Sequence, residues 1–445
     1  MKLHGTMCIN AEGQLEVGGC RINELARNFG TPLYIMDEAL IRKNCREYYR
    51  AFSSDGKSDG VLYAAKAFMA TAICKIVESE GLGLDVVSGG ELYIALKAGF
   101  PPGKLFLHGN NKSLSELEFA LKSGVGRIVI DNFYELELLN HLAGAGGYLP
   151  QVLLRVAPGI EAHSHAYIRT GQLDSKFGFT LANGDALRAV ETALRAVNLD
   201  LKGLHCHIGS QIFELDAFRD AARVMVDFLQ EARTKTGWTA TELDLGGGLG
   251  IYYSAGDTPP AIREYASAIH ESVAESCKKW NFPRPKLFVE PGRSIVGPAG
   301  CTVYTIGAMK DIPGVRKYVA VDGGMTDNPR PALYQARYEG LIANKAKEPV
   351  QEVVSITGRC CESGDMLIWD LSAPRVEAGD LLVISCTGAY NYSMSSNYNC
   401  LPRPAVVLVC DGNADLIVAR ETYEDLVKNH LVPERISFSS CNVQS

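Results

Sequence analysis

No stretch of this 445-residue chain is rich in charge of one sign. Its net charge of -7 comes from acids and bases interspersed along the whole length, which argues against nucleic acid as a partner, because that surface calls for a clustered basic patch. No apolar run approaches the length needed to cross a bilayer, so no membrane association is expected. Low-complexity tracts are missing too. Residues 1–20 alternate polar and apolar side chains without the apolar block of a secretory signal, and a cytoplasmic location is expected. The 13 cysteines are odd in number, scattered and never spaced C-x-x-C. That argues against a disulfide framework and against a zinc site, and no metal is expected. Cys74, Cys206 and Cys386 lie in apolar runs, as small core residues do.

What is present is 47% hydrophobic and 21% charged residues, enough to build a large core. The length exceeds that of a single core and favours two domains. Short apolar runs of strand formers recur at 61–66, 84–88, 105–108, 127–131, 152–156, 201–208, 243–246 and 287–290. Helical patterns fill 91–98, 116–122, 134–142, 184–197, 216–235 and 262–280 between them, and Ser113 with Glu116 forms a capping box. Eight such units predict an α/β fold, a (β/α)8 barrel of the TIM type, whose usual length is roughly 250 residues. An open doubly wound sheet rarely continues so regularly. Polar residues also collect at the carboxyl ends of the runs, where barrels place their chemistry: Lys66, Ser88, His108, Asn110, Arg155, His207 with Ser210, Gly246-Gly247-Gly248, and Glu290 with Arg293.

After Gly297 the helical period gives way to strands at 302–306, 317–321, 352–356, 366–369, 380–385, 405–409 and 416–419, separated by Gly and Pro turns. The expected organisation is a β-rich arm over 1–30, a barrel over 31–297 and an all-β domain over 298–445, a barrel or sandwich that the arm completes. A strand at 31–36 and a helix at 38–52 open the barrel segment, and the polar stretch 53–60 reads as a surface loop.

Lys66 closes the first run, in Gly60-Val61-Leu62-Tyr63-Ala64-Ala65-Lys66. A lysine among apolar neighbours loses hydration, its pKa falls, and the neutral amine can condense with an aldehyde. Taken alone, the stretch fits a strand-end lysine with its head in solvent better. The glycines 246–248 and Gly292-Arg293 can bring backbone N–H groups and a guanidinium to a phosphate, at the loops where barrels bind one. Glu290 adds a carboxylate. Pyridoxal phosphate needs all three, since an acidic partner keeps its pyridine nitrogen protonated and able to accept the electrons of a carbanion. A carboxylate there favours decarboxylation over mere proton transfer.

The motifs Tyr63-Ala64-Ala65-Lys66-Ala67, Asp85-Val86-Val87-Ser88-Gly89-Gly90-Glu91, Asp174-Ser175-Lys176-Phe177-Gly178-Phe179 and His205-Cys206-His207-Ile208-Gly209-Ser210-Gln211 follow in that order. Glu290-Pro291-Gly292-Arg293, Arg330-Pro331-Ala332-Leu333-Tyr334, Cys361-Glu362-Ser363-Gly364-Asp365 and Gly388-Ala389-Tyr390 come after them. In this order they resemble, nearly end to end, the meso-diaminopimelate decarboxylases among the fold-type III, alanine-racemase-like pyridoxal-phosphate enzymes.

The resemblance implies pyridoxal 5′-phosphate as cofactor and a small amino acid as substrate. Lys66 would bind the cofactor aldehyde, and His207 would stack on its ring. Ser210, Gly246, Gly247, Gly248 and Gly292 would hold phosphate, and Glu290 the ring nitrogen. Arg293, Arg330 and Tyr334 would bind substrate carboxylate, with Arg293 and Tyr390 also touching the cofactor. Cys361, Glu362 and Tyr390 would come from the second subunit of a homodimer with shared active sites, Cys361 as proton donor and Glu362 as partner of the remote ammonium. Decarboxylases of ornithine, arginine or a carboxylated polyamine are the alternative, but those substrates lack the second carboxylate that Arg330 would read. A silent relative that only binds a partner protein should have lost Lys66 or Cys361. Three positions depart from the family pattern: Phe68, Ala157 and the run 322–327.

Overall fold

The computed structural model describes residues 1–52, 59–160 and 175–436. Most of the loop expected over 53–60 lies outside the described residues, as does Asp174 of the motif that begins there. Eight parallel strands close into a barrel: β1 (Gly60–Ala64), β2 (Gly83–Val86), β3 (Leu105–Leu107), β4 (Arg127–Ile130), β5 (Gln151–Ala157), β6 (Asp200–His205), β7 (Glu242–Asp244) and β8 (Lys286–Val289). Each pairs with the next, and β8 returns to β1. Helices occupy the connections, and Ser113 does form the expected capping box with Glu116.

Cross-strand partners share a face, so the register decides what fills the barrel. Asp85 pairs with Phe106, and Phe106 with Arg127. Arg155 pairs with His205, His205 with Asp244, and Asp244 with Phe288. This inward set begins with a dry layer of Leu62, Phe106, Val129, Leu153 and Phe288. The alternate residues (Val61, Tyr63, Leu84, Val86 and their kind) face outward and pack under the helices in the main core. Moving toward the carboxyl ends, the inward positions turn polar. Gly203 is inward with no side chain, and a Cβ there would sit 1.8 Å from the Glu242 carbonyl oxygen.

The second sheet runs Met366–Ala373, Glu352–Thr357, Arg316–Val321, Gly300–Ile312, Leu33–Asp37, Ala405–Cys410 and Asn413–Val418, with Leu381–Ser385 and Gly340–Ile342 paired to its side. Leu33–Asp37 is thus a central strand of this sheet, antiparallel to Gly300–Ile312 and parallel to Ala405–Cys410. The boundary drawn at 31 put that strand in the barrel segment. Its burial along the whole length suits either domain, and only non-local pairing decides between them. The arm forms a separate three-stranded sheet plus a helix, Ile22–Phe29, where only strands were expected. Its Leu15, Val17, Ile22 and Leu25 pack on Leu33, Ile35, Cys301 and Val407 of the second domain. Two short helices, Arg330–Tyr334 and Tyr423–Val427, interrupt the otherwise β-rich C-terminal part. Among the described residues, no helix is long and apolar enough to cross a membrane.

At the amino end of the barrel, Arg127 reaches across the lumen to Glu242, with Nε 2.7 Å and Nη2 2.5 Å from the two carboxylate oxygens. Glu242 is mostly buried, with 9% of its side chain exposed. Arg127→Leu should therefore destabilise the protein by about 3–5 kcal/mol by stranding that carboxylate. Denaturant unfolding checks this, and a loss below about 1 kcal/mol would mean that water reaches Glu242 freely.

Candidate active site

The polar groups at the carboxyl ends of the strands meet beneath the barrel mouth. Asp85 accepts a hydrogen bond from Lys66 Nζ at 2.6 Å. His108, just past β3, places Nε2 2.8 Å from Glu290 Oε1 and 3.7 Å from Asp85 Oδ1. His205, the last residue of β6, approaches the other Glu290 oxygen through Nε2 at 3.4 Å. The two imidazoles meet edge to face, centroids 4.9 Å apart. Asp244 ends β7 and accepts the Gly246 N–H at 2.9 Å. Lys66, Asp85, His108, Glu290 and His205 thus form one polar chain, of which Lys66 and Glu290 line the pocket.

The charges follow from burial and neighbours. Burial pushes the Asp244 carboxyl well up, and the Glu290 charge adds to it. Burial acts in the same direction on Glu290, but the His108 and His205 rings outweigh it and hold the carboxyl well below its ordinary range. Burial draws His205 down to about 4, leaving a neutral ring. For Lys66, burial pulls the ammonium down, yet the carboxylates of Asp85 and Glu290 more than offset it and the net shift is upward. The neutral, desolvated amine expected from the sequence is therefore corrected. Asp85, on the neighbouring strand, keeps Lys66 charged.

The glycine loop after β7 lies against this chain. Gly246 and Gly248 have φ of +66° and +121°, and a Cβ on Gly247 would come within 2.2 Å of the Glu290 carbonyl oxygen. Only glycine allows that approach. Burial, then the Lys66 and Arg155 charges, hold His207 well below its ordinary value, and its Nδ1 accepts the Gly247 N–H at 3.2 Å. Ser210 Oγ accepts from Arg293 Nη2 at 2.9 Å and Nε at 3.3 Å. Lys66, His207, Ser210, Gly248, Glu290, Gly292, Arg293 and Tyr390 line one pocket.

Arg293 and Arg330 are both buried, each 6% exposed. Arg293 donates to the Tyr253 hydroxyl and lies over the Tyr390 ring at 4.7 Å. Arg330 donates to the Tyr338 hydroxyl at 2.7 Å and packs over Tyr253 at 4.9 Å and Tyr334 at 6.0 Å. Among the described residues, neither guanidinium pairs with a carboxylate. Phenols hold them, so their charge stays available to an anion.

Tyr390 corrects a second expectation. It was assigned to a partner subunit, but it lines the pocket of its own chain, where its N–H donates to the Ala67 carbonyl oxygen at 2.8 Å. Cys361 and Glu362 are exposed and do not line that pocket. The Cys361 N–H donates to Asn399 Oδ1 at 2.8 Å. Phe68, the first departure, turns away into the core against Tyr392. Ala157 is a buried end of β5, paired with Thr180. In the run 322–327, burial pushes Asp327 up to about 7, and its carboxyl accepts from Tyr304 and the Gly324 N–H, shaping the turn before Arg330.

Asp85, His205, Asp244, Tyr253 and Tyr338 had no assigned role in the sequence reading. A signal existed for the first three, because a polar residue inside an apolar barrel strand at inward parity is conspicuous. The two tyrosines carry no such mark.

The donor set fits pyridoxal phosphate. It offers an amine for the aldehyde, a neutral ring for the face, and a glycine, hydroxyl and guanidinium cradle. It also offers a buried carboxylate whose Oε1 lacks an aligned hydrogen bond. Residues 38–297 match the pyridoxal-binding domain of the pyridoxal-dependent decarboxylases, which is the class that fold and site define. The diaminopimelate decarboxylase of Bacillus subtilis is 54% identical over 428 residues, 96% of this chain and 98% of that one. That of Bacillus methanolicus is 51% identical over 421 residues, 95% and 98% of the two chains. The crystal structure of the M. jannaschii diaminopimelate decarboxylase with L-lysine superposes with a TM-score of 0.92 at 37% identity, covering 98% of this chain and all of that one. The chain belongs to the diaminopimelate decarboxylase family, and its cofactor is pyridoxal 5′-phosphate.

Removing Asp85 tests the charge on Lys66. A raised pKa means the amine is protonated to a higher pH, and the neutral fraction that attacks an aldehyde is small at pH 7. In Asp85→Asn burial remains while the main counter-charge is gone, so that fraction rises. Cofactor-free Asp85→Asn should capture pyridoxal phosphate with a rate profile displaced to lower pH, followed by stopped-flow absorbance. An undisplaced profile would show that Asp85 does not control the lysine.

Proposed function

We propose that this enzyme removes the carboxylate from the D-centre of meso-2,6-diaminopimelate, giving L-lysine and CO2. The observation that carries the reading is the pair of buried guanidiniums held by phenols. One suits the phosphate end of the site, and Arg330 lies further along the same aromatic wall. A fixed, unneutralised guanidinium calls for an anionic group on the substrate, and it matches a carboxylate in bidentate fashion. Diaminopimelate keeps a second carboxylate while the first departs; ornithine and arginine have none to spare.

Bound pyridoxal phosphate supplies an aldehyde for the amine and an electron sink for the pair left at Cα when CO2 departs. The residues do the rest. Lys66 would hold the cofactor through its amine, with Asp85 hydrogen-bonded to that amine at 2.6 Å. Ser210, the glycines 246–248, Gly292 and Arg293 would hold the phosphate and His207 would lie against the ring, while Tyr390 backs Arg293. Glu290 holds the proton on the ring nitrogen. Arg330 and Tyr334 bind the remote carboxylate and so fix which end reacts. The proton that replaces CO2 at Cα comes from Cys361 Sγ, and Glu362 pairs with the remote ammonium.

Cys361 and Glu362 are exposed in their own chain, and in this reading they complete the site of a second copy. The working unit is then a cytoplasmic homodimer in which the barrel, 38–297, provides the cofactor site and the second domain closes that of its neighbour.

Purified protein given pyridoxal phosphate should release CO2 from meso-diaminopimelate and not from ornithine or arginine. Arg330→Ala should lower kcat/KM by about 10- to 100-fold, the loss of a charge-assisted pair, with the cofactor spectrum intact. A collapsed spectrum would move Arg330 into the cofactor pocket. Equal turnover of ornithine would overturn the substrate assignment.

The shared site has its own test. Lys66→Ala and Cys361→Ala proteins should each be inactive, and after subunit exchange about half the dimers are hybrids by random pairing. Each hybrid holds one site with both defects and one with neither, so activity should recover to about a quarter of the wild-type value. No recovery despite proven exchange would place both residues in one chain's site.

A further inference from the structure

We propose that Tyr252 and Glu339 are positioning residues for the carboxylate end of the site. Their bridge, capped by residues 2–4 of the N-terminal arm, sets how Tyr253 and Tyr338 hold the two arginines. The proposal rests on the assignment of Arg330 to the remote carboxylate of the substrate.

Tyr253 and Tyr338 accept hydrogen bonds from Arg293 and Arg330, but neither tyrosine lies in a helix or strand. Tyr253 belongs to the loop after the glycines. Tyr338 belongs to the connection 335–339, between helix Arg330–Tyr334 and strand Gly340–Ile342. Backbone outside a helix or ladder keeps its place only through its other contacts. On the inner side the two segments meet as rings, edge to face at 5.2 Å. On the outer side a chain neighbour of each closes a second contact, the Tyr252 hydroxyl donating to Glu339 Oε1 at 2.7 Å. Tyr253 and Tyr338 are buried, whereas Tyr252 and Glu339 are half-buried. One pair staples the segments from the site, the other from the surface.

The arm completes the outer staple. The Lys2 N–H donates to Glu339 Oε2 at 2.7 Å, and Lys2 Nζ lies over the Tyr252 ring at 4.5 Å. The His4 ring stands against Tyr252 with centroids 5.8 Å apart, and its Nε2 is 3.3 Å from Cys386 Sγ. Thr6 anchors the arm just beyond, its N–H and hydroxyl both donating to Asp37 Oδ2 at 2.8 Å. Burial works against the Glu339 charge, but the Lys2 and Tyr252 donors outweigh it and hold the carboxyl below its ordinary range. Each Glu339 oxygen has its donor, so the carboxylate is a fixed post between two loops and the arm. None of Lys2, His4, Tyr252 and Glu339 lines the pocket of Lys66, so their effect runs through the two phenols.

The test uses the loaded enzyme. Glu339→Ala should raise KM for meso-diaminopimelate about 3- to 10-fold and leave kcat within about twofold, the pattern of lost uniform binding. Tyr252→Phe, which removes only the hydroxyl, should do the same. Cofactor loading, read as pyridoxyl mass on the Lys66 peptide after borohydride reduction, should stay complete in both. Glu339→Gln, whose amide can take the Lys2 N–H and donate to the Tyr252 oxygen, should keep KM within about twofold of wild type. Deleting residues 2–4 should raise KM about 2- to 5-fold alone and add nothing to Glu339→Ala. Deuterium exchange should quicken in Glu339→Ala at peptides 251–257 and 335–340, whatever the substrate. Unchanged KM or exchange in Glu339→Ala, a raised KM in Glu339→Gln, or additive losses on deleting 2–4 would each overturn the proposal. So would loss of the cofactor in Glu339→Ala. If Arg330→Ala keeps the wild-type kcat/KM, the error lies in the carboxylate assignment, and the exchange measurement alone decides the staple. Should Glu339→Ala not fold, Tyr252→Phe carries the same measurements, and failure of both would make the bridge a stability element and overturn the idea.

Discussion

A carboxylate buried in a protein interior must be compensated, and the barrel is arranged to compensate Glu290. Alternation along parallel strands sends every second side chain into the lumen. Strands β2, β6 and β7 and the residues just beyond β3 and β8 therefore deliver Asp85, His205, Asp244, His108 and Glu290 to one level. The charges at that level add up informatively. Lys66 pairs with Asp85, burial and the Glu290 charge push the Asp244 carboxyl well up, and burial draws His205 down to about 4. The His108 and His205 rings hold the Glu290 carboxyl well below its ordinary range against the effect of burial. A buried carboxylate held in this way is complementary to a cationic ring.

The second domain is part of this arrangement. The chain enters it first at Leu33–Asp37, then builds the barrel, then returns to pair Gly300–Ile312 and Ala405–Cys410 on either side of that first strand. Barrel and sheet are thus tied at both ends of the barrel segment. The returning chain reaches back to the lysine turn Ala65–Ala67: the Tyr390 N–H and the Ser393 hydroxyl both donate to the Ala67 carbonyl oxygen, at 2.8 and 3.2 Å. Tyr392 packs edge to face on both Phe68 and Tyr34, a contact that joins the first strand, the lysine turn and the C-terminal loop. The position of Lys66 is set by both domains at once.

Much of this was legible in the sequence, for identifiable reasons. Parallel barrel strands are buried on both faces, so they read as apolar runs, and the polar residues that end them mark the mouth. All eight runs are strands. Lys66, His207, Ser210, Glu290, Gly292 and Arg293 do come together in one pocket. What escaped depends on contacts between distant residues. Leu33–Asp37 looks like any buried strand, and its sheet is chosen by partners near residues 300 and 405. Ile22–Phe29 is short and follows β-type residues, so its 3.6-residue period was overlooked. The charge on Lys66 is decided by Asp85, which no reading of the apolar residues around Lys66 would find. Tyr390 was placed on the partner chain, and its reach back to its own lysine turn, where its N–H meets the Ala67 carbonyl oxygen, is a contact between distant residues that no local reading finds.

The aromatic wall between the two arginines explains how one site can hold anions at both ends. A buried guanidinium paired with Asp or Glu would already be neutralised, and an incoming carboxylate would have to displace that partner. Here Tyr253 and Tyr338 accept hydrogen bonds from Arg293 and Arg330, and their rings, edge to face at 5.2 Å, cover the guanidinium planes. Asn391 also donates to the Tyr338 hydroxyl, at 3.2 Å, which fixes the phenol without adding a negative charge. The arginines are oriented and partly desolvated yet still carry their full charge. Tyr253 touches both of them. Its ring packs under Arg330 while its hydroxyl meets Arg293, so a shift of one guanidinium on binding an anion bears on the setting of the other.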